Sequence, residues 1–317
     1  MFRVILSLGG HLVGASGFPA PSRAQSTGVF AAVLLEQRVK RLVALQLDVL
    51  ADRDPEPLHQ MRVTCRQLRS TVEQFADALV LPEPVSPQRL ARIGSDLGLS
   101  RDLDVLRQWL EHHWQPLLPE GEQLALRKLL KQLKRERKLA FTVLTGTLKG
   151  RRYLKLLERL QGWLRQPRFT PMGEEPIEAW CPELQQVALA GLFTLPGWWV
   201  GNPRDQPSAQ KLHQLRRRIK RARYGFHNLT PLDPQAFQPW VDQLKAMQTV
   251  LGDLQDLQVL VHTLERLLEA APDSVMPCLC SLILEAQDQA WQRWLLLAAD
   301  LRTLEGRQGV LKLQLKA

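Results

Sequence analysis

Apolar residues recur at spacings of three and four along most of the chain after residue 29, in stretches such as 122–164 and 236–271. That is the period of helices that bury one face and wet the other. Alternating runs of Val, Ile and Thr, the mark of half-buried strands, are nearly absent, and there are only two tyrosines. Breakers fall between the helical stretches: Asp54-Pro55, the run LPEPVSPQ from Leu81, and the run TPLDPQ from Thr230 each close a connection. The pattern predicts an all-α protein.

The pattern also repeats. LHQMRVTCRQLRSTVEQF begins at Leu58 and LHQLRRRIKRARYGFHNL at Leu212, while LGLSRDLDVL begins at Leu97 and LGDLQDLQVL at Leu251. Both pairs are 154 residues apart, and a shared offset predicts an internal duplication. The expected organisation is a domain over 29–310, with a first half 29–165, a connector 166–208 and a second half 209–310, followed by a tail 311–317. The connector is rich in Pro, Gly and Trp, with one short apolar helix expected around Pro182–Leu195. Each half is expected to form an antiparallel bundle of about four helices. Residues 1–28 carry glycines and His11 inside their apolar run and lack a good small-residue cleavage site. They read as a disordered leader or an unused upstream start rather than a secretory signal.

Plotted at 100° per residue, the first repeated segment places Leu58, Met61, Cys65, Leu68, Val72 and Phe75 within an arc of about 100°, a normal core-facing stripe. His59, Arg62, Arg66 and Arg69 share the adjacent arc. The second segment repeats this, with Leu212, Leu215, Ile219, Ala222, Phe226 and Leu229 as the stripe and His213, Arg216, Lys220 and Arg223 beside it. A basic helix face is ordinarily solvated, and Arg217, Arg218 and Arg221 are expected to be so. The eight residues of the two arcs, six cations and two histidines, border the core in both copies and are expected instead to line a groove between helices. Arg forks grip phosphate oxygens, Lys adds a point charge, and a neutral His donates one N–H.

Charge supports a polyanionic ligand without choosing one. The chain carries 42 Lys and Arg against 32 acids, a net charge of +10, which favours nucleic acid, anionic lipid or polyphosphate. Asp102 and Asp256 stand at matching places in the second pair of segments and are expected to orient arginines through salt bridges. The four cysteines form no C-x-x-C, so neither a disulfide framework nor a zinc knuckle is indicated, in keeping with a cytoplasmic location; Cys278-x-Cys280 reads as helix core. No run of 18 apolar residues exists to span a membrane.

His-x-x-Arg-x-x-x-Arg-x-x-Arg near the start of each half, followed by Leu-Gly…Asp-Leu…Val-Leu, resembles the CHAD family (conserved histidine α-helical domain). Lys220 stands for the middle Arg in the second copy, which keeps the charge and loses the fork. Gln255 stands where the first half has Arg101, so that flanking cation need not act in both halves. The resemblance implies two pseudosymmetric four-helix bundles with a basic central groove, and binding of inorganic polyphosphate, in some members on polyphosphate granules. It implies as phosphate contacts His59, Arg62, Arg66, Arg69, His213, Arg216, Lys220 and Arg223. No cofactor or metal is expected, and no catalysis: there is no poised nucleophile, glycine-rich phosphate loop or carboxylate cluster for Mg²⁺. Two other readings stay open on the residues, a general polyanion or nucleic-acid binder and metal chelation by the histidines. Nucleic acid is disfavoured because the nine tryptophans do not interleave with the basic segments. Metal is disfavoured because the histidines' neighbours are cations.

Overall fold

The computed structural model describes residues 18–268 and 270–312. These form α1 (Thr27–Ala51), α2 (Glu56–Gln74), α3 (Pro87–Trp109), α4 (Glu120–Lys149), α5 (Arg151–Arg165), α6 (Ile177–Leu189), α7 (Gln206–Leu229), α8 (Pro234–Leu267), α9 (Pro277–Ala298) and α10 (Leu304–Leu311), with several single-turn helices between them. Among the described residues there are no strands, only the isolated bridges Ser26–Pro176 and Leu79–Phe169, so the all-α expectation holds.

Local chemistry explains where the helices start. Ser86 accepts from the Arg89 N–H at the head of α3, Asp205 from Ser208 at the head of α7, and Asp233 from Ala236 at the head of α8. Each has a proline in its first turn, where a missing N–H leaves no bond unmade. The head of α9 is served by another helix: Glu122 of α4, buried, accepts from the N–H groups of Cys278 and Leu279 at 2.8 and 2.9 Å. A carboxylate there also meets the positive end of the helix dipole.

The core is divided differently from the expected one core per half. A large core runs through α1, α2, the first part of α3 up to Leu97, the end of α4, α5, α6, α7, α8 up to Leu254 and the end of α9, mixing both halves. A smaller distal core joins Leu103–Leu118, Leu126–Ala140, Leu257–Leu264 and Met276–Ile283, again from both halves. Arg266 of α8 and Glu136 of α4 pair at 2.8 and 3.1 Å at that end. Between the cores lies a polar layer, which α3 crosses at Gly98–Asp102 and α8 at Gln255 and Asp256. Each helix's stripe is therefore one-sided only locally, and the two halves fasten to each other at both ends.

Three further expectations are corrected. The short connector helix is Ile177–Leu189, earlier than expected, because Pro182 sits within the helix and Gly191 (φ 68°) stops it. The connector contributes to the core: Ile177, Leu184 and Leu192 are buried, and Trp198 donates to the Leu192 carbonyl at 2.8 Å while packing on Trp294. Of the leader, residues 1–17 lie outside the described residues, but the stretch that follows is built in. Arg23 donates to the Leu232 carbonyl and to Asp233, and Thr27 donates to the Glu175 carbonyl. Most of the tail, 313–317, also lies outside the described residues. Cys278 and Cys280 are partly exposed at the head of α9 rather than core. No helix among the described residues is long and apolar enough to cross a membrane.

Candidate functional site

The two repeated segments are α2 and α7, and they pack against each other. Gln74 and Asn228, which are 154 positions apart, bond directly (Asn228 Nδ2 to Gln74 Oε1, 2.7 Å). Matching positions in contact are what a local twofold between the helices produces. Arg38 of α1 locks the crossing, donating to Asn228 Oδ1 at 2.6 Å and to the Thr71 hydroxyl. It has no carboxylate beside it, and burial pushes its guanidinium down to about 9.

The apolar stripes of α2 and α7 behave as their spacing dictates: Met61, Leu68, Phe75, Leu215, Ile219 and Phe226 are buried. Cys65 is buried with them, which pushes its thiol up to about 12. That leaves the cationic arcs beside the polar layer. Arg62 donates to the Gly98 carbonyl at 2.9 Å and to Asp102 at 2.8 Å. Arg216 donates to Gln255 at 2.9 Å. Both guanidiniums lie against a glycine of the Leu-Gly pair: a Cβ at Gly98 would come 3.5 Å from Arg62, and one at Gly252 3.1 Å from Arg216. Gly252 thus clears room for an arginine head, whereas at Gly98 a Cβ would meet Arg62 at an ordinary contact distance.

Arg62, Arg66, Arg216 and Lys220 gather closely enough to disturb each other. Burial first, and then Arg66, Arg216 and Arg62, push Lys220 down to about 7. Asp256 is reached by solvent yet walled by protein, as on the side of a recess. That desolvation outweighs Arg216 and, with Asp102 and Asp253 nearby, pushes its carboxyl up to about 6. His59 is held below the usual imidazole range by desolvation, then Arg101, with Arg62 and Arg66 adding to it and Glu56 opposing. It is neutral at pH 7 and so keeps one donor N–H. Buried guanidinium nitrogens here find no acceptor among the described residues: Nε and Nη1 of Arg101, and Nε of Arg216 and of Arg223.

Not all eight arc residues converge. Arg66, Arg69 and Lys220 line a cavity of about 370 Å³ between α2, the first turns of α3 and α7. Arg223 instead stacks on the Tyr224 ring at 4.5 Å, and His213 faces a narrow cleft with Arg204, Gln255 and Gln258. Arg217, Arg218 and Arg221, expected to be merely solvated, line the cavity as well. Arg218 is partly buried, and its guanidinium is pushed down by burial and by Arg221. The sequence reading missed these three, and it named Arg101 and the Leu-Gly pairs without placing them beside the arginines. The signal for Arg217 and Arg221 was their place flanking the cationic arc on its far side. Arg127, Lys131, Lys134 and Lys138 form an exposed face of α4. No group of three His, Cys, Asp or Glu among the described residues is placed to hold a metal ion.

Comparison with known proteins places this geometry. Two uncharacterized proteins from two strains of Mycobacterium tuberculosis are 27% identical over 233 residues, which is 70% of this chain and 42% of theirs, so the chain spans less than half their length. The crystal structure of the CHAD domain from the plant Ricinus communis matches with a TM-score of 0.61 at 21% identity, covering 95% of this chain and 96% of that one. PptA from Streptomyces chartreusis matches with a TM-score of 0.62 at 17% identity, covering 86% and 99%. These two likenesses establish the fold. The family model of the CHAD domain matches residues 33–265, from the second turn of α1 to the end of α8. The chain belongs to the CHAD domain family.

Proposed function

We propose that this protein binds inorganic polyphosphate in the polar layer between its two cores and in the cavity beside it, without catalysing a reaction. The observation that carries the reading is the crowding of Arg62, Arg66, Arg216 and Lys220, with N–H groups of Arg101 and Arg216 beside them that meet no acceptor among the described residues. Like charges packed beside a low-dielectric interior destabilise the fold, and a chain of phosphates supplies both the missing charge and the missing acceptors. In this reading Arg62 and Arg216 are held by Asp102 and Gln255 and shape the wall. Arg66, Arg69, Lys220 and neutral His59 are the contacts, and Asp256 sets the local field. His213 and Arg223, drawn aside in the structure, contribute least. The two halves derive from one ancestral unit, the domain spans 29–310, and the protein works in the cytoplasm, at polyphosphate granules where these form.

Many charge-assisted contacts add along a polymer, so long chains bind more tightly than short ones. The test is a titration with long-chain polyphosphate at about 150 mM salt, where charges are screened beyond about 8 Å. Duplex DNA and single-stranded RNA of matched charge serve as competitors. Polyphosphate binding that resists displacement, and that weakens steeply as salt rises, is the expected result. Equal displacement by nucleic acid would reduce the function to general polyanion binding, and a flat salt dependence would remove the electrostatic mechanism.

A further inference from the structure

The cavity between α2, α3 and α7 contains a carboxylate where its other charges call for an anion. Six cations line it: Arg66, Arg69, Arg217, Arg218, Lys220 and Arg221. Glu73 is the one acid among the described residues that do so. It accepts from Arg69 Nε at 2.8 Å through one oxygen, and its other oxygen lies 3.8 Å from Arg221 Nε. The carboxylate is far more enclosed than either partner, 18% exposed against 43% for Arg69 and 48% for Arg221. It thus presents two oxygens to cations on two different helices, the geometry with which a phosphate group would meet them.

The matching position in the second half is His227, which cannot play this part. The cationic face of α7 is also one-sided: Arg217, Arg218 and Arg221 correspond to Val63, Thr64 and Gln67 of α2. A carboxylate needed only for the repeated fold would have no reason to appear in the one half where the facing helix is triply cationic.

We propose that Glu73 is an internal competitor for the ligand: a phosphate chain reaching this cavity displaces its carboxylate from Arg69 and Arg221 and is anchored there by those residues together with Arg218. The inference rests on the polyphosphate reading above and adds to it two anchors outside the repeated arc, Arg218 and Arg221, with a built-in anion that limits their affinity. The exchange is an ion-pair swap in which no covalent bond changes. It makes binding weaker than the cation count suggests, and it favours anions that offer several oxygens at once over single carboxylates.

Glu73→Gln keeps an acceptor for Arg69 and removes the charge. Titrated with tripolyphosphate and with long-chain polyphosphate, it should bind both about tenfold more tightly than the wild type, the range of one charge-assisted contact released. Its salt dependence should be steeper, since more cations are free for phosphates. Adding Arg221→Gln should cancel the gain, a coupling that a double-mutant cycle reads directly. Asp77→Asn, one turn further on and exposed, changes net charge equally and should leave affinity where it was. Arg218→Gln alone should weaken binding several-fold, a check that does not depend on how well the Glu73 variant folds. Wild-type binding that is unchanged or weakened in Glu73→Gln, or matched by Asp77→Asn, would overturn this proposal and leave the polyphosphate reading standing. No binding by either wild type or Glu73→Gln would overturn both.

Discussion

The α2–α3 side of the site and the α7–α8 side are built on one plan and charged by different ones. On both sides an arginine of the repeated arc lies over a glycine of the next helix, Arg62 over Gly98 and Arg216 over Gly252. What that arginine then bonds differs. Arg62 takes Asp102 and the Gly98 carbonyl, whereas Arg216 takes Gln255, a residue whose counterpart is the cation Arg101. Arg101 therefore enters the first side as an extra charge that, after desolvation, holds His59 below its ordinary range. The scaffold positions are shared because both sides must pack the same crossing. The residues in front of the scaffold are free to diverge, and on the proposed function they decide where an anion sits.

The sharpest way to break the comparison is at the pair the two sides share. Arg66→Glu with Lys220→Glu reverses two neighbouring charges and should reduce polyphosphate affinity by 100-fold or more, given the strength of contacts between ionised groups. A loss under tenfold in a titration would mean the arcs are not where the polymer lies. Next in size, Arg101→Gln makes the first side like the second and should weaken binding about tenfold. The same change should raise the pKa of His59, read from its imidazole signals by NMR. An unmoved His59 would show that Arg101 faces elsewhere in solution.

A pH series sharpens the comparison because the disturbed groups differ between sides. Lys220, pushed down to about 7, gains its charge as pH falls, and Asp256, pushed up to about 6, loses its charge over the next interval. Both changes favour a polyanion, so affinity for long-chain polyphosphate should rise as pH drops from 8 to 5. Lys220→Arg should remove the part of the rise near 7, because a guanidinium stays charged throughout. Without ligand the sign reverses: the Lys220 value lies below its unfolded one, so its charged form destabilises the fold increasingly as pH falls toward 7 and then levels off. The smallest expected difference is between the glycines. Gly98→Ala meets Arg62 at an ordinary contact distance and should gain about 1 kcal/mol from helix propensity. Gly252→Ala crowds Arg216 and should gain little or nothing; equal shifts in melting temperature would show that both heads move aside freely.

Much of this was legible from spacing. The stripes of α2 and α7, the prolines at the heads of α3 and α8, and the cationic arcs all follow from the period of a helix and the chemistry of its first turn. The division of the core was not legible, because a stripe says which face of Leu103 or Leu257 is buried but not which half it is buried against. The role of Arg217, Arg218 and Arg221 was hidden for a related reason. A helical wheel locates a residue relative to its own helix, and these face a cavity whose other walls come from α2 and α3. Trp198 and Trp294, scattered in sequence, meet only once the single turn Pro196–Trp199 and α9 are packed.

The placement of the polar layer between two cores, each made from both halves, has a mechanical consequence. A jaw hinged at one end opens by rotation and must be closed by its ligand; a frame joined at both ends does neither. The loss of freedom that binding would otherwise impose on these walls is already met when the chain folds. The opening of least resistance is at the distal end, where the smaller core, the Glu122 contact and the Arg266–Glu136 pair hold the frame shut. On the polyphosphate reading, the residence time of a bound polymer is then set by that far latch, well away from the residues proposed to touch a phosphate.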